Sequence, residues 1–297
     1  MKTLLPLRHF LLALAVVAVW GSNFTVAKLA LHDLPPVFFA FMRFLLVFFP
    51  AVLFIRRPAV PWRLLASYGL LIGAVQFGFL FVAMKHDISP GLASLVVQSQ
   101  AFFTIGLSIA LSGEQVKPFQ WIALALAASG LLIIIAHGGA DATPLGVVLV
   151  LVAALGWAGG NQVSRISGPV DMLAYVVWSS VFALPPLLAL ALIFDGWPAI
   201  QAGVMTAGPV AWGALVYQSV ANSMFGYAVW GWLLSRYPAA TVAPLSLLVP
   251  VFGFSVSALV LGEAFPFWKL AAFALVLGGL AFNLLWPRLA RRPQISA

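Results

Sequence analysis

The chain reads as one unit written twice. Ser89-Pro90-Gly91-Leu92-Ala93 leads through an apolar run to Gly113-Glu114 and then to Pro118-Phe119-Gln120-Trp121. Tyr237-Pro238-Ala239-Ala240-Thr241 leads in the same way to Gly262-Glu263 and Pro266-Phe267-Trp268-Lys269. A fainter echo sits near the start of each half: Trp20-Gly21-Ser22-Asn23 ahead of Lys28, and Trp157-Ala158-Gly159-Gly160-Asn161 ahead of Arg165. A repeat at half the length of a 297-residue chain predicts two like units, residues 1–140 and 141–297, before any single residue is interpreted.

Composition sets the solvent. Hydrophobic residues make up 63% and charged residues 7% of the chain, too little polar surface to coat a water-soluble globule. The net charge of +8 does not point to nucleic acid, because the bases flank apolar segments and are not interleaved with exposed aromatics. Ten apolar segments are long enough to cross a bilayer: 9–31, 34–55, 64–85, 89–112, 118–137, 143–165, 172–194, 208–234, 238–261 and 267–286. The eighth has the weakest start, placed at Gly208-Pro209 within an uncharged run. Residues 1–22 also resemble a secretory leader, but the Trp20–Asn23 motif has a counterpart in the second half, so the first span is expected to be retained.

Five spans per half is an odd number, so the second half enters from the opposite side and the repeat is inverted. An inside amino terminus puts Lys2, Arg8, Arg56, Arg57, Arg63, Lys117, Arg165, Arg236, Arg288, Arg291 and Arg292 in the cytoplasm, and Lys28, Lys85 and Lys269 outside. Both termini are therefore expected in the cytoplasm, with Glu114 facing the cytoplasm and Glu263 facing outward. The expected fold is an all-α membrane protein of ten transmembrane helices, two inverted five-helix repeats around a central cavity. Such repeats recur in secondary transporters, whose two halves open one membrane face at a time.

The absence of cysteine excludes disulfides and iron–sulfur clusters. No Gly-rich loop ending in Gly-Lys-Ser/Thr occurs, which disfavours nucleotide-driven pumping. Asp33, Asp87, Glu114, Asp141, Asp171, Asp195 and Glu263 all lie near span ends or in loops, so an ordinary carboxylate proton relay lacks its parts. His9, His32, His86 and His137 are scattered without metal-ligand spacing, and no cofactor is expected. An intramembrane enzyme or a lipid scramblase is the alternative reading.

The motifs Trp20-Gly21-Ser22-Asn23-Phe24, Ser89-Pro90 to Gln100-Ala101-Phe102-Phe103, Gly113-Glu114 and Ala243-Pro244-Leu245-Ser246-Leu247-Leu248-Val249-Pro250-Val251 resemble the EamA branch of the drug/metabolite transporter superfamily. Their details are most similar to bacterial cysteine and O-acetylserine exporters, and more distantly to the aromatic amino acid exporter. The resemblance covers nearly the whole chain. It implies a ten-helix exporter of amino acids or related metabolites in the bacterial inner membrane. A small-molecule substrate and membrane lipid are the expected partners, with a monomer as the expected state.

Polar residues within the spans mark where a substrate could sit. Arg43 is the only ionisable residue well inside a span, at a cost of about 2.5–3.5 kcal/mol on insertion scales, so it requires a compensating contact. It either holds a substrate carboxylate or braces the structure. The amides Asn23, Gln76, Gln98, Gln100, Asn161, Gln162, Gln218 and Asn222 form a candidate polar path, although Gln98 and Gln100 cannot share one helical face. Asn23 and Asn161 are related by the repeat and are expected to approach across its axis. Trp20, Trp157, Trp178 and Tyr227 are candidate cavity walls, with lipid contact or packing as the alternative. Pro50, Pro185, Pro244 and Pro250 are candidate hinges. Gly69 with Gly73, and Gly156 with Gly160, have the spacing of close helix contacts.

Overall fold

The computed structural model describes residues 5–112, 117–137, 139, 141–237 and 239–289, and no strand occurs among them. Among the described residues nine helices are long and apolar enough to cross a membrane, and a tenth follows a sharp bend. In chain order they are α1 (Leu7–Asp33), α2 (Pro36–Leu53), α3 (Trp62–His86), α4 (Pro90–Leu107), α5 (Pro118–His137), α6 (Pro144–Ser167), α7 (Met172–Asp195), α8 (Pro209–Arg236), α9 (Pro244–Leu261) and α10 (Phe267–Trp286). The short helix Trp197–Thr206 precedes α8 and meets it at 103°. Pro36, Pro90, Pro144 and Pro209 each occupy a first turn, where the missing N–H costs nothing. The start expected at Gly208-Pro209 is thus the start observed.

Irregular turns recur at matching places in the two halves. Nine-residue π segments interrupt α3 at Leu70–Gly78 and α8 at Tyr217–Phe225. A 3₁₀ turn at Val97–Ser99 lies within α4, and another at Ala243–Leu248 opens α9. The four candidate hinge prolines differ in their settings. Pro50 follows the α-helical part of α2, Pro36–Phe48, through a cis peptide bond. Pro244 sits in the 3₁₀ segment, and Pro250 in the first turn of the α-helix after it. Pro185, with Pro186, lies inside an α-helix.

Helices pack mainly on helices of the other half: α1 on α8 and α9, α6 on α3 and α4, α2 on α7, and α5 on α10. Small residues permit these approaches. A Cβ at Gly156 would come within 2.8 Å of Val75 Cγ1 and 2.9 Å of the Leu71 carbonyl, so α6 lies directly against the π segment of α3. Gly160 faces Ile72 on the same contact, while Gly69 and Gly73 face Ser179 and Ala183 of α7. Both small-residue pairs therefore lie on α3 interfaces.

One face of the bundle is tied together by acids that end one helix and cap another. Asp33 Oδ2 accepts from Gly208 N before α8 (3.2 Å), and Asp195 Oδ2 accepts from Phe38 N of α2 (2.8 Å). Asp87 Oδ1 accepts from Thr143 Oγ1 (2.8 Å), which in turn caps α6 by accepting from Gly146 N (3.0 Å). Glu263 accepts from Ser89 Oγ (2.5 Å) and Gly91 N (3.2 Å) at the start of α4. Each carboxylate is thus placed at or beside a positive helix end. Bases do the converse: Lys28 Nζ donates to the Met84 (2.7 Å) and Lys85 (2.9 Å) carbonyls at the end of α3, and Lys85 Nζ donates to Leu31 O at the end of α1. These contacts bring the ends of α1, α3, α7 and α9 and the starts of α2, α4, α6 and α8 to one face. Glu114, expected at the other face, lies outside the described residues.

Candidate functional site

The site forms where α1, α2, α3 and α8 converge. The π segment of α8 supplies Gln218, Ser219, Asn222 and Ser223, all buried. A π turn returns after about five residues, and Ser223 Oγ donates to Gln218 O, five residues back, at 3.1 Å. Gln218 and Ser223 thereby face the same way, toward α2.

Arg43 of α2 meets them. Its side chain is 0% exposed; Nη1 donates to Gln218 Oε1 (3.0 Å) and Nη2 to Ser223 Oγ (2.9 Å). The guanidinium carbon lies 3.5 Å from the centre of the Phe77 ring of α3, a cation–π contact in a desolvated setting. Ser219 Oγ donates to the Arg43 carbonyl (3.1 Å). Among the described residues Arg43 forms no ion pair with a carboxylate, and its Nε is buried without a hydrogen-bond partner. A guanidinium carries five N–H donors. Only two are engaged in these bonds.

The network continues into α1. Gln218 Nε2 donates to the Asn23 carbonyl (2.6 Å), Asn222 Nδ2 to Gln218 Oε1 (3.3 Å), and Trp20 Nε1 to the Asn222 carbonyl (3.1 Å). Asn23 Nδ2 donates to Trp20 O (2.5 Å). A cavity of about 40 Å³ is lined by Trp20, Asn23, Gln76, Trp157, Asn222 and Tyr227, together with Phe77 and apolar side chains. Gln76 is 4% exposed, and its Oε1 has no hydrogen-bond partner. A second void of about 10 Å³ beside Arg43 shares Phe77 and Tyr227 with the first. Together they have room for a few waters and for no larger solute. Wider grooves of about 460 to 530 Å³ open on the outside of the bundle, along α9 and α10 and around Lys28 and Lys85.

The structure brings Trp20, Asn23, Arg43, Gln76, Trp157, Gln218, Asn222 and Tyr227 together. Gln100 and Asn161 form a separate cluster between α4 and α6: Asn161 Nδ2 donates to Gln100 Oε1 (3.0 Å) and Thr104 Oγ1 (3.3 Å). Asn23 and Asn161 therefore take different partners, one on α8 and one on α4. Gln98 is buried in the 3₁₀ turn of α4. Trp178 stands apart, donating to the Ile55 carbonyl (2.9 Å) and packing on Trp62. Phe77, Ser219 and Ser223 were not singled out in the sequence. Their one signal was position, close to Gln76, Gln218 and Asn222.

A helical membrane bundle with a buried cation among amides at a convergence of helices from both halves has the character of a solute transporter. The profile of the EamA-like transporter family matches this chain twice, over residues 7–136 and 144–285. The chain belongs to that family, within the drug/metabolite transporter superfamily. A protein of Salmonella typhimurium named "Probable amino-acid metabolite efflux pump" is 41% identical over 291 residues, covering 96% of this chain and 97% of its own. Its namesake in Escherichia coli is 40% identical over 292 residues, covering 96% and 98%. An Escherichia coli protein named "Uncharacterized inner membrane transporter YedA" is 32% identical over 180 residues, 58% of each chain. A solved crystal structure superposes with a TM-score of 0.63 at 20% identity, over 96% of this chain and 99% of that one, which is a likeness of fold alone.

Proposed function

We propose that this transporter exports amino acids or closely related small metabolites across the inner membrane, with both termini in the cytoplasm and one substrate site at Arg43. Arg43 carries the reading. A cation buried at the centre of a membrane bundle without an acid beside it is costly to maintain, and a substrate carboxylate supplies the missing charge in the fork geometry a guanidinium favours. The cavity walls offer the rest of a zwitterion's needs: the Gln76 oxygen for an ammonium, and Trp20, Trp157 and Tyr227 around a side chain. The names of the two relatives at about 40% identity support amino acid efflux over an intramembrane enzyme or a scramblase.

The cavity is too small for an amino acid in this conformation, so loading requires the helices to part. Alternating access between two inverted repeats, 1–140 and 141–297, provides that opening. Support comes from the matching π segments, the two family matches, and the opposed directions of α3, which ends at the capped face, and α8, which begins there. The π segments and Pro185 are natural bending points. Uptake of labelled cysteine, threonine and phenylalanine into proteoliposomes, with and without a pH gradient, tests the function. Saturable uptake of at least one is expected, and no uptake of any would overturn the substrate assignment.

A further inference from the structure

We infer that Gln218 is a specificity-determining residue, which keeps Arg43 available to a substrate carboxylate by offering it a neutral oxygen. This rests on the reading of Arg43 as the carboxylate receptor. The position is one side-chain atom away from an internal ion pair. Gln218 Oε1 lies 3.0 Å from Arg43 Nη1, the distance at which a glutamate oxygen would neutralise the guanidinium. Ser223, 2.9 Å from Nη2, is a second neutral partner, and the Phe77 ring face is a third.

None of the three carries a formal charge, so the guanidinium is held in place and left electrostatically unpaid. The other polar contacts of Gln218 explain why an amide stands there. Its Nε2 donates to Asn23 O at 2.6 Å and lies 3.4 Å from Asn23 Oδ1, while its Oε1 also accepts from Asn222 Nδ2 at 3.3 Å. A glutamate would keep the acceptor side and lose the donor to Asn23. A leucine would lose both. The two substitutions therefore separate charge from scaffolding.

A site of this kind selects for a substrate carboxylate and against its uncharged carboxamide. In Gln218→Glu that preference should collapse, because the introduced acid occupies the charge the substrate would have met. The loss of a desolvated charge pair corresponds to a fall in affinity on the order of 100-fold for the acid, with little change for the amide. Gln218→Leu should weaken both ligands together and keep their ratio. Serving only as a brace, Gln218 would give the reverse pattern, with Glu tolerated and Leu damaging.

The experiment measures binding of cysteine, threonine and phenylalanine, each against its own carboxamide, to the purified full-length protein, for the wild type, Gln218→Glu and Gln218→Leu. Expected is an acid-over-amide preference that persists in Gln218→Leu and disappears in Gln218→Glu. A folded Gln218→Glu protein with the wild-type preference overturns the inference while leaving the transport reading intact. A wild type that binds no panel acid, or binds acid and amide alike, overturns the reading of Arg43 and this inference with it. Should Gln218→Glu fail to fold, Ser223→Asp brings an acid to the other guanidinium nitrogen and is subject to the same two outcomes.

Discussion

Arg43 of α2 and Phe77 of α3 meet face on, with 3.5 Å between the guanidinium carbon and the ring centre. The ring lies in the π segment of α3 and borders both internal voids, so it is at once a counterpart for the cation and a wall of the cavity. Phe77→Leu keeps apolar bulk and removes the π face. Desolvated cation–π contacts contribute about 2 kcal/mol, so a loss of that order is expected in thermal stability of the purified protein. An unchanged melting curve would show that Phe77 acts as bulk alone.

Glu263 and Lys269 make a second test, at the capped face. Gly262 ends α9 in the left-handed region (φ +68°), and the turn delivers the Glu263 carboxylate to Ser89 Oγ, Gly91 N, Ser257 Oγ and Lys269 Nζ. Lys269 is fully buried, 3.0 Å from Glu263 and 2.9 Å from Asp141. Glu263→Gln leaves it with Asp141 alone, and breaking a buried pair of this kind costs about 3–5 kcal/mol. A markedly lowered melting temperature is expected, with partial recovery on adding Lys269→Met. If the double variant is no more stable than Glu263→Gln, the buried ammonium is not the source of the loss.

Gly156 tests the coupling of packing to the site. A side chain there would press on Val75, the Leu71 carbonyl and the Gln76 backbone nitrogen, each within about 3 Å of the added carbon. Overpacking at such contacts costs about 1–3 kcal/mol. Gly156→Val is predicted to lower stability by that amount and to reduce transport as well, because Gln76 moves with the displaced backbone. Full transport by a destabilised variant would separate the interface from the cavity.

Topology is directly measurable, because the chain has no cysteine of its own. His32 and Arg56 are both exposed, at opposite ends of the first two helices. With both termini in the cytoplasm, His32→Cys reacts with an impermeant thiol reagent in intact cells and Arg56→Cys only after lysis. The opposite pattern would invert the orientation.

The spans were legible in the sequence because length and apolarity are the bilayer's own criteria, and first-turn prolines marked several starts. Arg43, Gln218 and Asn222 were legible for a related reason: polar groups in apolar helices need partners. Ser223 and Phe77 were not. Serine is too small to stand out, phenylalanine occurs twenty-four times, and only the π turn places Ser223 beside Gln218. Trp178 was a candidate cavity wall, yet its indole reaches the Ile55 carbonyl and the hydroxyls of Ser179 and Ser180 beside it turn back to the Val176 carbonyl. Asn161 was matched to Asn23 by the sequence echo, yet it bonds Gln100 and Thr104 of α4 while Asn23 meets Gln218 of α8, so likeness of motif did not fix the partner. Pro50 and Pro250, two of the candidate hinges, stand where regular α-helix has stopped or is starting, a placement that spacing alone does not give.

The most direct measurement is saturable uptake of a labelled amino acid by proteoliposomes of wild-type protein, Arg43→Ala and Arg43→Met, with folded protein confirmed in each membrane. Loss of uptake in both variants is predicted, because the substrate carboxylate would have no charge to meet. Normal uptake in either would contradict a substrate site at Arg43.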